Sequence, residues 1–287
     1  MSYRRVLLLF VLGMALIFPI TKGFASTPVA ICGEPFAPFL YETGGNGQEK
    51  KNVAGINLDN FRLLAELTGL DFNFSVLPWK RCKFYVENYS KPGDHEIAID
   101  ASFNTDRAER FHFVGPMYVL GTAVFYSRKR FPNGPLSKKT GRVISSINEM
   151  QDFSICGMLG WNYEMYYTEH GIPRSVEVIR TSAGYQGMFS MLSKGRCDLV
   201  ETHPALVLGA MITGELEMPK DIVCNKLNKE PQKFYMMIAR KSPRAEALVT
   251  RLSKALKHLK DTQQFITAND KEFFPASESS TRISECL

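Results

Sequence analysis

The stretch "GINLDNFRLLAELTGLDFNFSVLPW", residues 55–79, decides how the chain folds. Within it the spacing of apolar residues changes. Ile56, Leu58, Phe61, Leu64 and Leu67 recur at helical intervals up to Gly69, a stop signal, and "DFNFSVLPW" then alternates as a half-buried strand does. Upstream, "PVAIC" (28–32) reads as a strand. Downstream, "KRCKFYVENY" (80–89) reads as a helix and "EIAIDASF" (96–103) as a buried strand. The order is β-α-β-α-β, the signature of a mostly parallel sheet with helices packed on it.

The second half repeats the theme. "FSICGML" (153–159), "VEVIRT" (176–181) and "CDLVET" (197–202) read as strands, separated by helices over "WNYEMYYTEHG" (161–171) and "AGYQGMFSMLSKG" (183–195). Between the halves, "SRKRFPNGPLSKKTGR" (127–142) is a solvated loop, because its basic residues lack the interleaved aromatics of a nucleic-acid surface. A strand "FYMMIARK" (234–241) and a helix over 243–265 close the chain. Two lobes are expected: residues 26–120, residues 121–232, and a return to the first lobe over 233–274. The polar end "PASESSTRISECL" (275–287) is expected to be a disordered tail.

The N-terminus has the order of a secretory leader: Arg4 and Arg5, an apolar run from Val6 to Ile20, then Gly23 and Ala25 two apart. The run is short for a membrane span, so cleavage after Ala25 and export are expected. Cleavage removes Arg4, Arg5 and Lys22 and no acid, so the formal charge falls from +6 to +3. That excess is too small to argue for nucleic acid. All six cysteines lie beyond the leader, and an even number in an exported chain makes disulfides the expectation, with the pairing left open. No cysteines are spaced as zinc ligands, and with five histidines no metal cluster is visible.

In open α/β sheets ligands sit beyond the carboxyl ends of strands, and clefts between domains are favoured. Those ends carry Phe36 and Phe39 after "PVAIC"; Asp100, Ser102 and Arg107 at and after "EIAIDASF"; Trp161 after "FSICGML"; and Glu201, Thr202 and His203 at "CDLVET". An arginine fork, carboxylates, hydroxyls and aromatic faces are what a zwitterionic small molecule requires.

The segment Asp106, Arg107, Ala108, Phe113, Pro116 and Tyr118, together with "PFAPF" (35–39), "GINLDNFRLLAELTGL", "LPWKRC" (77–82) and "LSKGRCDLV" (192–200), resembles the periplasmic solute-binding proteins for polar amino acids that serve ABC importers. The resemblance implies an α/β, two-lobed periplasmic-binding-protein-like fold of the second type, with mixed, mostly parallel sheets and a cleft between the lobes. It implies that Arg107 grips a ligand carboxylate, that Ser102 offers a hydroxyl, and that Phe36 stacks on the ligand unless it serves the core. Asp100 stands where many members have serine, so it adds a negative charge for an ammonium group or caps a strand end. Arg110 matches no ligand position and is left on the surface. The pattern departs where members that bind α-amino acids place an aspartate five residues after the Asp of "GRCD": here that position is His203, with Glu201 nearby. A second departure is Gly160-Trp161 where the second lobe usually offers threonine after glycine; Trp161 either walls the pocket or packs on its own lobe. Trp79 sits near the cleft mouth or caps the first lobe's core.

The resulting expectation is a monomeric, exported, periplasmic protein that binds a small polar, amino-acid-like ligand without cofactor or chemistry. Closure by hinges near Val119–Thr122 and Gln232–Tyr235 would be read by a membrane permease or a sensor. The competing class is an exported dehydratase on the same scaffold, recruiting Glu201 or His203 as general acid.

Overall fold

The computed structural model describes residues 27–44, 52–161, 163, 167–168, 171–172, 176–267 and 283–287. The leader, most of the helix expected over 161–171, Asn162 and the start of the tail lie outside the described residues.

The described elements, in order, are β1 (Val29–Gly33), β2 (Tyr41–Thr43), β3 (Asn52–Ala54), α1 (Ile56–Thr68), β4 (Phe72–Val76), α2 (Trp79–Glu87), β5 (His95–Ser102), α3 (Thr105–Arg110), β6 (Phe111–Leu120), β7 (Ala123–Ser127), β8 (Ile155–Met158), β9 (Val178–Thr181), α4 (Gly184–Ser193), β10 (Leu199–Thr202), α5 (Pro204–Ile212), β11 (Ile222–Lys226), β12 (Gln232–Ala239) and α6 (Ala245–Asp261). They build two five-stranded sheets, ordered β4-β1-β5-β12-β6 and β11-β7-β10-β8-β9, and a β2-β3 hairpin. Both large sheets are mixed. In the first, β4-β1-β5 run parallel and β12 and β6 are added antiparallel. In the second, β10-β8-β9 run parallel and β7 and β11 are antiparallel. Each sheet is the centre of one lobe, and the chain passes between them at β6–β7 and again at β11–β12.

Residues 55–79 fold as their periodicity requires. Gly55 opens α1 at φ 126, tucked so close to the Phe39 carbonyl that a Cβ there would collide with it. Gly69 ends the helix in the left-handed conformation, its N–H bonded to the Ala65 carbonyl. Ile56, Phe61 and Leu64 are buried, and the Phe61 ring meets Phe72 and Phe74 of β4 edge-on at 5.0 and 5.2 Å. The expected stripe is corrected at Leu67, which is 47% exposed, while Asn57 and Asn60 are fully buried. Both asparagines are there for their hydrogen bonds. Asn60 clamps the Ile266 backbone through its Nδ2 and Oδ1, each at 2.9 Å, and Asn57 reaches Asp100.

The cysteines pair as Cys32–Cys82, Cys156–Cys197 and Cys224–Cys286. The first ties β1 to α2, the second β8 to the approach to β10, and the third the C-terminus to β11. The disordered-tail expectation is therefore corrected for residues 283–287: Ile283 and Cys286 are buried, Cys286 is covalently held, and the Lys226 ammonium donates to the Leu287 carbonyl at 2.6 Å. A polar composition says nothing of a tether supplied by one cysteine. Trp79, which the strand-like reading of "DFNFSVLPW" included, instead opens α2 directly after Pro78, whose backbone cannot donate to a ladder.

The lobes touch. Gly209 on α5 lies against the Ala37–Pro38 backbone of the first lobe, leaving no room for a Cβ. No helix among the described residues is long and apolar enough to cross a membrane.

Candidate functional site

The ends of β1, β5, β8 and β10 converge on one cavity between the lobes, enclosing with its open mouth about 810 Å³. All eight residues singled out as ligand candidates line it: Phe36, Trp79, Asp100, Ser102, Arg107, Trp161, Glu201 and His203. Phe39, by contrast, is fully buried in the core, stacked on Tyr118 at 3.8 Å.

Arg107 is held rigidly. Asn104 caps α3, its Oδ1 accepting the Arg107 backbone N–H at 2.7 Å. The guanidinium Nη1 donates to the Ser102 carbonyl at 2.8 Å and to its hydroxyl at 2.9 Å, and the guanidinium centre lies 5.3 Å from the Trp79 ring centre. Ser102 therefore orients the arginine. Nε and Nη2 have no partner among the described residues, so part of the fork is left for an incoming acceptor. Burial lowers the Arg107 pKa to about 10, which keeps it cationic at neutral pH. Arg110 lies outside the cavity, paired with Glu87 at 2.8 Å and with Asp106.

Asp100 sits in β5 at φ 62, a left-handed backbone that aspartate tolerates better than most residues. Its Oδ1 accepts from Asn57 Nδ2 at 2.7 Å and from the Tyr118 hydroxyl. Its Oδ2 is buried with no partner. Burial raises the Asp100 pKa to about 7, against the lowering effect of those two donors.

From the second lobe, Trp161 Nε1 donates to Glu34 at 2.8 Å across the cleft, and its ring lies edge-on to Phe36 at 6.4 Å. Burial raises the Glu34 pKa to about 8, with Asp100 and Glu215 adding to the rise and the Trp161 bond and Arg107 opposing it. Glu201 is likewise raised to about 8 by burial; Tyr167 donates to it at 3.5 Å and the Lys229 ammonium lies 3.8 Å away. Burial lowers Lys229 to about 8 as well.

His203 caps the turn into α5, and its Nδ1–H donates to the Gly121 carbonyl at 2.8 Å, between β6 and β7. Burial lowers its pKa to about 4, so it is neutral at physiological pH and ties the start of α5 to the connection between β6 and β7.

Sequence reasoning missed Glu34, Asn104, Tyr163, Gln232 and Phe234 as cavity residues. Glu34 was legible, being the first residue past the end of β1. Gln232 was read as hinge and Phe234 as hinge and strand start, and nothing in their local sequence marks them as facing a cavity. Among the described residues no cluster of side chains is suited to a metal ion.

No protein-family model matches the chain, and no curated protein sequence matches it. Solved structures do. An amino acid ABC transporter substrate-binding protein from Streptococcus pneumoniae, bound to L-arginine, superposes with a TM-score of 0.61 at 15% identity, over 83% of this chain and 91% of that one. A histidine kinase sensor domain with similarity to periplasmic binding proteins gives 0.66 at 17% identity, over 86% and 96%. An ancestral amino-acid-binding protein, a precursor of cyclohexadienyl dehydratase, gives 0.62 at 13% identity, over 87% and 96%. At such identities the likeness is one of architecture, and on that ground the chain has the two-lobed α/β fold of the periplasmic amino-acid-binding proteins.

Proposed function

We propose that this protein captures a small amino-acid-like ligand in the interlobe cavity, outside the cytoplasm, for a membrane permease or a sensor. One observation carries the reading: a buried, immobilised Arg107 with unused donors shares a cavity with Asp100, a buried carboxyl whose Oδ2 has no partner. The first suits a carboxylate and the second an ammonium. The paired cysteines and the leader-like N-terminus support an oxidising compartment.

A second reading has one observation in its favour. Glu34 and Glu201, with pKa values near 8, are acids that keep a proton at neutral pH, which a dehydratase on this scaffold would require. Thermal melting against amino acids, polyamines, organic acids and cyclic phenylalanine precursors separates the two. A bound amino acid at a hundred times its Kd is expected to raise Tm by roughly 5–10 °C and to be recovered intact. A precursor consumed during the assay would make the protein an enzyme.

Closure supplies a further test. Leucine at position 209 would push α5 off the Ala37–Pro38 backbone and disfavour the closed state. If the closed fraction drops to a tenth, affinity falls about tenfold. Titration calorimetry on Gly209→Leu checks this, and wild-type affinity would show that the lobes need not close tightly.

A further inference from the structure

The four acidic and basic side chains named along the cavity wall, Arg107, Asp100, Glu201 and Glu34, do not balance once an amino acid is placed there. Glu201 and Lys229, 3.8 Å apart, sum to zero whether the proton sits on the carboxyl or on the amine. A ligand carboxylate cancels Arg107 and a ligand ammonium cancels Asp100. Glu34 is left over. It is half-buried and lines the cavity, with the Trp161 indole N–H on one oxygen. The groups that act on it are Asp100 of β5, Glu215 beyond α5 and Arg107 of α3, and it in turn acts on the Tyr163 and Tyr185 hydroxyls. Arg107, the one cation among them, is already engaged by the ligand carboxylate in this arrangement.

We propose that Glu34 is a specificity-determining carboxyl that reads a second positive charge on the ligand, binding ligands with a cationic side chain as a carboxylate and ligands with a neutral side chain as a carboxylic acid. The inference rests on the amino-acid reading of the cavity. It makes uptake of a cationic ligand an exchange reaction: the ligand's side-chain cation enters, and the proton of the Glu34 carboxyl leaves to solvent. A neutral side chain enters without that exchange. The Trp161 N–H bond is available in both states, since either form of the carboxyl has an oxygen to accept it.

The sign follows from the direction of the shift. Glu34 is held above its ordinary carboxyl range by burial, so near and below neutrality the empty site carries the proton. Cationic-ligand affinity therefore rises with pH up to Glu34's titration near 8 and levels off above it. Asp100 also titrates near 7, but it meets the α-ammonium of every amino acid, so its effect cancels in a ratio.

L-Arginine and L-citrulline are the matched probes, near-isosteric and differing in side-chain charge. With the full protein, the arginine-to-citrulline affinity ratio is expected to climb between pH 6 and 8, by at most about tenfold per unit when one proton is exchanged. Calorimetry at pH 7 in buffers of different ionisation heat is expected to count close to one more proton released with arginine than with citrulline. Glu34→Gln, which keeps an oxygen for Trp161, is expected to flatten the arginine-to-citrulline ratio against pH and to abolish the difference in proton count between the two probes. A flat wild-type ratio, or a Glu34→Gln ratio that climbs as the wild type's does, overturns the proposal while leaving the binding reading standing. If neither probe binds the wild type at millimolar concentration, the proposal for Glu34 fails, while the binding reading stands or falls by the melting panel. The wild-type proton count stands whether or not the variant folds.

Discussion

Replacing Arg107 with alanine is expected to weaken ligand binding by about 2–5 kcal/mol, roughly 30-fold to several thousand-fold, the range for removing one partner of a buried charge pair. The reasoning starts from how much of this arginine is already committed. Nη1 is spent on Ser102, the backbone N–H on Asn104 and one face on Trp79, so the remaining donors are presented without a further ordering cost. Lysine at this position keeps the charge but loses the planar fork, so Arg107→Lys should recover only part of the affinity. Titration calorimetry with the solute found by melting gives the answer, provided circular dichroism shows both variants folded. Wild-type affinity in the alanine variant would remove Arg107 from the ligand site.

The second large effect concerns stability. The Cys32–Cys82 bond closes a loop with a sequence separation of 50, joining β1 to α2 within the first lobe. In the chain-entropy account a loop of that length contributes about 4 kcal/mol by restricting the unfolded chain. Cys32→Ala with Cys82→Ala should therefore lower the unfolding free energy by about that amount, read as a lower urea midpoint. Both sulfurs are fully buried, so the alanines also leave small voids and the loss should not fall short of the entropic figure. A midpoint equal to the wild type's would show that the bond is absent in the folded protein or that the reduced chain is equally restricted.

Much of this molecule is readable before any coordinates. The change of period between α1 and β4, the glycine stop at Gly69 and the buried run of β5 are local signals, and local signals survive folding. The strand ends then pointed to the cavity, because in such sheets chemistry collects there. What was illegible depends on partners distant in sequence. Asn57 and Asn60 occupy helix positions that apolar periodicity would fill, and their reasons lie at Asp100 and Ile266. His203 looked like a titratable site residue, and only its burial against Gly121 shows that it stays neutral. The hinge expected near Val119–Thr122 falls where β6 ends and β7 begins, two strands serving different sheets, a distinction that requires knowing their neighbours.

The bond between Cys224 and Cys286 bears on any effort to make the lobes separately. By sequence position the second lobe runs from β7 to β11, and a fragment cut at those borders would carry Cys224 as an exposed, oxidisable thiol. The sixty-second residue after it, far beyond the fragment's end, is its natural mate. A lobe prepared that way invites cross-linked dimers, so it needs either Cys224→Ser or the terminal pentapeptide 283–287 supplied and oxidised in trans. The first lobe meets no such demand, since Cys32 and Cys82 both lie within it.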